Sequence, residues 1–556
     1  MTLTNLEVAQ AAELRPLSAI AEILGLPHGA VLPWGPHAAK LDPSRAPGRA
    51  RGKMVLVTAM NPTPAGEGKT TTVVGLTQGL VKQGESACAV LREPSLGPVF
   101  GIKGGGCGGG RSQVLPMEDI NLHFTGDLHA ISAAHNLLAA MLDNHLHHGN
   151  ALGLEDREIL WPRVMDMNDR ALRDVIVGLG GRTGGVPRQT RFDITAASEV
   201  MAILALARDM ADLKERLGRI VVGFTKGKTP KPVTAADLKA HGSMALLLKH
   251  ALKPNLAQTV EGAPALVHTG PFGNIAHGCP SVQAIDISMR HAAYTVVEAG
   301  FGADLGAQKF LDIVCPITGD WPDAVVIVGT VRACKVHAGI PMAKVAEPNP
   351  EAVARGLDNV IAHVEAMRRR GLEPVVALNQ RTGDPAVDEQ AFLDGLTARG
   401  IAVVHADPYS RGGEGCLSLA SAVKEAAKRE KGRPHHPYAI TDKLPEKLSG
   451  IVREVCGGAG AKLERQARAA LDRFEAAGYG GLQPCVARTQ YSLSDDPKAL
   501  GRPVGFEVTF REVRLLAGAG FLVSLAGEIL TMPGLGAVPA AEGIDVGPDG
   551  SASGLY

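Results

Sequence analysis

Between residues 63 and 71 the chain reads Thr63-Pro64-Ala65-Gly66-Glu67-Gly68-Lys69-Thr70-Thr71, and no other stretch restricts the fold as much. A phosphate-binding loop needs Gly, four spacers and Gly-Lys-Ser/Thr. Backbone N–H groups must face the phosphates while the lysine reaches the β and γ oxygens and the hydroxyl meets Mg²⁺. Here Gly68-Lys69-Thr70 closes the pattern, and Thr63 stands where its first glycine is expected. Residues 54–59 form an apolar run that predicts a buried parallel strand, and residues 70–82 space Val73, Val74, Leu76, Leu80 and Val81 as a helix would. Strand, loop and helix in that order put Gly68, Lys69 and Thr70 at a helix N-terminus, where unpaired N–H groups and the macrodipole favour an anion. The bland alternative is a glycine-rich strand-to-helix turn carrying a solvated lysine.

Strand-like runs alternate with helical ones at 52–60, 87–91, 220–222, 265–267, 294–297, 324–328, 374–378 and 401–405. Such alternation predicts an α/β protein with a P-loop-type parallel sheet core covered by helices, its ligands gathered at the carboxyl ends of the strands. A chain of 556 residues exceeds one ordinary core. We expect residues 1–370 to form the nucleotide domain with inserted segments, 371–477 a second α/β domain, and 478–556 a β-rich C-terminal domain. The basic stretch at 428–437 looks like an exposed linker.

Composition removes several function classes. Lys+Arg and Asp+Glu both number 57 and only 4% of residues are aromatic, so neither charge nor stacking surface recommends a nucleic-acid partner. The eight cysteines form no Cys-x-x-Cys pair, which argues for a reduced compartment without structural zinc. Glu7, Glu13 and Arg15 interrupt the N-terminal apolar residues, and no run is pure enough to span a bilayer. A cytoplasmic protein with no membrane partner is expected.

Arg92 and Glu93 follow the strand after the loop helix. A guanidinium beside Lys69 takes two oxygens of a carboxylate or acyl phosphate in a fork; the alternative is a buried Arg92–Glu93 pair. The run Gly101-Ile102-Lys103-Gly104-Gly105-Gly106-Cys107-Gly108-Gly109-Gly110-Arg111 is too glycine-dense for a helix or stable strand, so a loop is expected, either a surface excursion or a ligand wrap. His123 and His129 follow it. His145, His147 and His148 share a helical stretch but lack the carboxylate or cysteine partner of a metal site.

Taken together, the 63–71 loop, Leu91-Arg92-Glu93-Pro94-Ser95-Leu96-Gly97-Pro98 and Pro116-Met117-Glu118-Asp119-Ile120-Asn121-Leu122-His123 resemble the formate–tetrahydrofolate ligase (formyltetrahydrofolate synthetase) family. The likeness runs nearly end to end, through Gly270-Pro271-Phe272-Gly273-Asn274, Glu298-Ala299-Gly300-Phe301-Gly302, Thr489-Gln490-Tyr491-Ser492 and Thr531-Met532-Pro533-Gly534. It implies that formate attacks the γ-phosphate of ATP to give formyl phosphate, from which N10 of tetrahydrofolate displaces phosphate. Residues 63–71 would hold ATP, Lys69 would neutralise the transferring phosphoryl group, Thr70 would help place Mg²⁺ and Arg92 would hold formyl phosphate. His123, His129 and His268 are candidates for polar contacts or proton handling. Thr63 at the first loop position is the family's own. The resemblance also implies a homotetramer and activation by a monovalent cation.

Departures from the family pattern cluster. Where the family usually has Asn-Lys/Arg-Phe-Pro-Thr-Asp, this chain has Asn379-Gln380-Arg381-Thr382-Gly383-Asp384; Tyr409 replaces a Trp before Ser410-Arg411-Gly412-Gly413-Glu414-Gly415, and Arg111 stands where Tyr is common. In the family that Phe and Trp sandwich the pterin ring. Arg381 through its guanidinium plane and Tyr409 through its ring still offer a stacking platform. Either the acceptor site is retuned for a different or modified reduced pterin, or it has drifted around unchanged tetrahydrofolate binding. Two readings from other classes are a nucleotide-driven switch or partitioning ATPase with a protein partner, and an inactive paralogue acting as a binding module.

Overall fold

The computed structural model describes residues 4–48, 50–101, 106–429 and 434–555. Among them, seven parallel strands form the centre: β1 (Lys53–Ala59), β2 (Ala87–Leu91), β3 (Pro264–Val267), β4 (Tyr294–Glu298), β5 (Ala324–Gly329), β6 (Val375–Asn379) and β7 (Val403–Ala406). Their spatial order is β3-β2-β4-β1-β5-β6-β7. Both faces are covered, so β2, β3, β5 and β6 are buried at every position and β1 is exposed only at Lys53. The two-residue period of β1 divides two cores: Met54, Leu56 and Met60 serve one, and Val55, Val57 and Ala59 the other. Helix α1 (Lys69–Lys82) buries Val73, Val74, Leu76 and Leu80 in the second. From β1 the chain passes to β2 on one side and later to β5, β6 and β7 on the other. That reversal opens a crevice at the carboxyl end of β1, where such sheets bind ligands.

Seven of the eight expected strands enter this sheet; the one at 220–222 instead becomes Val221–Phe224, paired antiparallel with Pro232–Thr234. The boundary expected at residue 370 does not interrupt the sheet, since β6 and β7 extend it. Arg370 itself is fully buried at the end of the helix Pro350–Arg369, its guanidinium 2.6 Å from Asp312, which also sits 2.8 Å from the His436 imidazole. A buried charge must be paired, so this position is an anchor and not a hinge. Of the expected linker at 428–437, residues 430–433 lie outside the described residues, and His435 accepts from Arg370 through its carbonyl.

A second sheet combines β8 (Gly460–Leu463), β9 (Gln483–Ala487), β10 (Glu507–Leu516) and β11 (Phe521–Ala526) in the order β8-β10-β11-β9. It straddles the expected division at 477/478. Its apolar core draws Leu444, Leu448 and Ile451 from one helix and Leu471 and Phe474 from another, all before that division. In the glycine-rich run, Ile102, Lys103, Gly104 and Gly105 lie outside the described residues. The expected loop is partly strand: Gly108–Gly109 pairs with Ser112 and Gln113. Among the described residues no helix is long and apolar enough to cross a membrane, and no cluster of His, Cys, Asp or Glu is arranged to hold a metal.

The interior keeps several histidines neutral. Burial pushes His135, His268 and His363 down from 6.5 to about 4, and His277 to about 3. At these sites the unfolded chain therefore binds more protons than the folded one between pH 6.5 and about 4. Stability from these groups is complete above their unfolded value and is lost as pH falls towards their folded values. The expected result is a thermal midpoint that drops steadily below pH 6.5, with proton uptake on unfolding; a flat midpoint from pH 6.5 to 5 contradicts it.

Candidate active site

The loop leaves β1 at the crevice, and two of its glycines are required by geometry. Gly66 and Gly68 have φ of 71° and 72°, and a Cβ on Gly68 would come within 2.4 Å of the Asn379 carboxamide nitrogen. Gly68 caps α1 in the left-handed conformation, so Lys69 and Thr70 open the helix with its N–H groups facing the crevice.

Thr63 has a physical reason. Its N–H and hydroxyl both donate to Oε1 of buried Glu67, at 2.7 and 2.9 Å, while Oε2 accepts from the Thr330 hydroxyl at 2.5 Å. A glycine in its place would supply one of these donors, not two. Thr63→Val keeps the shape and deletes one hydrogen bond to a buried carboxylate, a loss of about 2 kcal/mol. A lowered thermal midpoint together with weaker MgATP affinity is the expected outcome, and unchanged values in both would show that the bond is dispensable.

Neighbouring strands complete the cluster. Glu298, the last residue of β4, accepts from the Thr70 hydroxyl at 2.7 Å and lies 3.5 Å from Nε of Arg92, which leaves the end of β2. Burial by itself would raise the Glu298 carboxyl, but Arg92, the Thr70 hydroxyl and Lys69 outweigh it and hold the group below its ordinary range. Arg92 also donates to the Pro271 carbonyl at 3.3 Å. The expected alternative of an Arg92–Glu93 pair is therefore not formed. Successive residues at a strand end point to opposite faces, and Glu93 is buried near Lys40 and Asp127. There burial and then Asp127 raise its carboxyl well above the ordinary range despite Lys40.

Lys69, Thr70, Arg92, Glu93 and Glu298 line one cavity of about 330 Å³. A second, of about 390 Å³, shares Gly68, Thr71 and Gly108 with it and is lined by Asn5, Arg332, Asn379, Arg381 and Tyr409. The Tyr409 hydroxyl donates to Asn5 Oδ1 at 3.1 Å, its ring packs against Gly109, and its carbonyl accepts from Arg111 N–H at 2.8 Å. Two of the three departures, Arg381 and Tyr409, thus line one cavity, and Arg111 adjoins it through its backbone bond to Tyr409. A larger cavity of about 1000 Å³ lies between the helix Met210–Arg219 and the C-terminal sheet and includes none of these residues, so size is no guide to the chemistry.

The histidines separate. His268 is fully buried, with Nδ1 2.6 Å from the Ser281 hydroxyl and Nε2 2.7 Å from the Ala251 carbonyl; both nitrogens are used in packing, away from the cavity. His123 is exposed near Asp166, which accepts from the hydroxyl of cavity-lining Ser95 at 2.5 Å. His129 is exposed on the first turn of the helix Asp127–His147. Neither lines the cavity among the described residues. Sequence reasoning did not assign roles to Glu298, Thr330, Arg332 or Asn5. The signal for Glu298 was its place at the end of a strand-like run, whereas Asn5 had none.

A sequence model of the formate–tetrahydrofolate ligase family matches residues 3–556. Proteins described as formate–tetrahydrofolate ligase from Methylobacterium sp. (strain 4-46) and Methylobacterium nodulans are each 52% identical over 563 aligned residues, and one from Symbiobacterium thermophilum is 51% identical over 559. Each match covers 100% of both chains.

Proposed function

The chain belongs to the formate–tetrahydrofolate ligase family, and from that membership we propose that it is an enzyme joining formate to N10 of tetrahydrofolate. A formate oxygen attacks the γ-phosphorus of ATP and ADP leaves. N10 then attacks the formyl carbon, phosphate leaves and the N10 proton is lost, giving 10-formyltetrahydrofolate. The observation that carries this proposal is the meeting of two cavities at Gly68, Thr71 and Gly108, one with the phosphate loop, Arg92 and Glu298, the other with Arg381 and Tyr409. A reactive acyl phosphate made in one then has an acceptor beside it, so positioning does most of the work.

Within this proposal the loop N–H groups and the α1 N-terminus cradle the phosphates, and Lys69 balances charge on the transferring group. Arg92 forks onto two oxygens of formate and then of the acyl phosphate. Glu298 orients Arg92 and Thr70 from opposite oxygens. The Thr70 hydroxyl and Glu298 carboxylate are hard oxygen donors suited to Mg²⁺, which when bound supplies further charge neutralisation at the phosphates. On the acceptor side, the Tyr409 ring and Arg381 guanidinium offer planar faces to the pterin. Asn379 is buried, with its Oδ1 lacking a protein partner among the described residues, and offers an acceptor for a ring N–H. The eight cysteines are buried free thiols, in keeping with a cytoplasmic setting.

Assays of ADP release with formate, MgATP and a panel of reduced pterins test the proposal. Release that requires formate and is fastest with tetrahydrofolate is expected. Turnover with another reduced pterin and none with tetrahydrofolate would reassign the acceptor, and formate-independent hydrolysis would favour a nucleotide switch.

A further inference from the structure

We propose that Arg381 is a positioning residue that couples the acceptor cavity to the phosphate loop, so that occupancy of one site tightens the other; this rests on the two-cavity function proposed above. Arg381 lines the acceptor cavity, yet its guanidinium donates to the Gly66 carbonyl in the phosphate loop. Two residues earlier, the Asn379 carboxamide donates to the Glu67 carbonyl at 2.9 Å. Two successive peptide units of the loop are therefore held from the acceptor wall. In a trans peptide the C=O and N–H point in opposite directions. Fixing the carbonyls of Gly66 and Glu67 towards residues 379 and 381 turns the N–H groups of Glu67 and Gly68 the other way.

The acceptor wall is itself stiff. The Arg381 N–H donates to Asp384 at 3.1 Å, and Asp384 holds Arg332 Nε at 2.7 Å. Arg332 also reaches the Thr382 carbonyl at 3.0 Å. No acidic side chain lines this cavity among the described residues. A pterin stacked on the Arg381 guanidinium restricts the rotamers that a long side chain otherwise samples, and so favours the arrangement that also grips Gly66. Ordering supplied by one ligand need not be supplied again by the second, which gives positive coupling.

The test is titration calorimetry of MgADP with and without tetrahydrofolate, on the full-length protein and on Arg381→Phe, which keeps a planar face and loses the donor. In the unaltered protein tetrahydrofolate is expected to tighten MgADP roughly 5- to 10-fold. In Arg381→Phe the tightening disappears and MgADP alone binds roughly 3- to 10-fold more weakly. Arg381→Lys, which can still reach a carbonyl, restores part of both effects. If Arg381→Phe is recovered unfolded, Arg381→Met carries the same comparison. Equal tightening with and without the guanidinium, or none in the unaltered protein, overturns the proposal. If tetrahydrofolate does not bind at all, the acceptor assignment fails by itself. The MgADP affinities then decide whether Arg381 holds the loop: weakening that Arg381→Lys rescues supports it, and unchanged affinity overturns it.

Discussion

In Lys69→Ala, formate-dependent ADP release is expected to fall about 10³-fold. One unit charge about 4 Å from a developing negative charge, in surroundings of effective dielectric near 20, contributes about 4 kcal/mol, and each factor of ten in rate corresponds to about 1.4 kcal/mol. Lys69 is placed for such an effect. It is the first residue of α1, held by left-handed Gly68, and its charge already acts on Glu298. The KM for ATP is expected to rise with the fall in kcat, because the lysine meets phosphate oxygens before and during transfer. The thermal midpoint of the variant, whose loop keeps the Thr63–Glu67–Thr330 hydrogen bonds, checks separately that the protein is folded. A folded Lys69→Ala protein with undiminished turnover would remove the lysine from the chemistry.

Arg92→Lys separates geometry from charge. Lysine keeps the cation but cannot present two parallel N–H donors. The expected loss is about 10²-fold in kcat/KM for formate, with the KM for ATP nearly unchanged, and Arg92→Ala loses about tenfold more. The alanine variant carries a second signature. Arg92 is the strongest group opposing the effect of burial on Glu298, so its removal lets the Glu298 pKa rise. The carboxylate then takes up its proton at a higher pH than before, and the acid limb of the pH–rate profile moves upward. Steady-state kinetics against formate at several pH values read both effects; a Lys variant indistinguishable from the unaltered protein would assign Arg92 a purely structural place.

Much of the geometry around Lys69 was legible in the chain because its parts are neighbours in sequence. The apolar run of β1, the glycines of the loop and the spacing of α1 lie within residues 53–82, and local sterics decide what such a stretch can do. Arg92 was legible for the same reason, one βαβ unit away. The continuation of the sheet past residue 370 was not. A polar helix such as Pro350–Arg369 looks like the end of a unit when its buried partner, Asp312, cannot be seen. His268 likewise stood as a candidate for polar contacts or proton handling, because nothing local reveals that Ser281 and Ala251 satisfy both its nitrogens.

By itself the sequence determined the class of fold, the strand–loop–helix order of residues 53–82 and the identity of the cation that opens α1. All of these follow from periodicity, glycine placement and helix-end electrostatics over a few dozen residues. The tertiary structure alone decided that Glu298 joins Thr70, that Tyr409 joins Asn5 and that Arg381 grips Gly66, partners separated by 228, 404 and 315 positions. The physical reason is that parallel strands bring their carboxyl ends together whatever their distance along the chain. Which side chains meet there is set by strand order and register, and a linear pattern does not contain them.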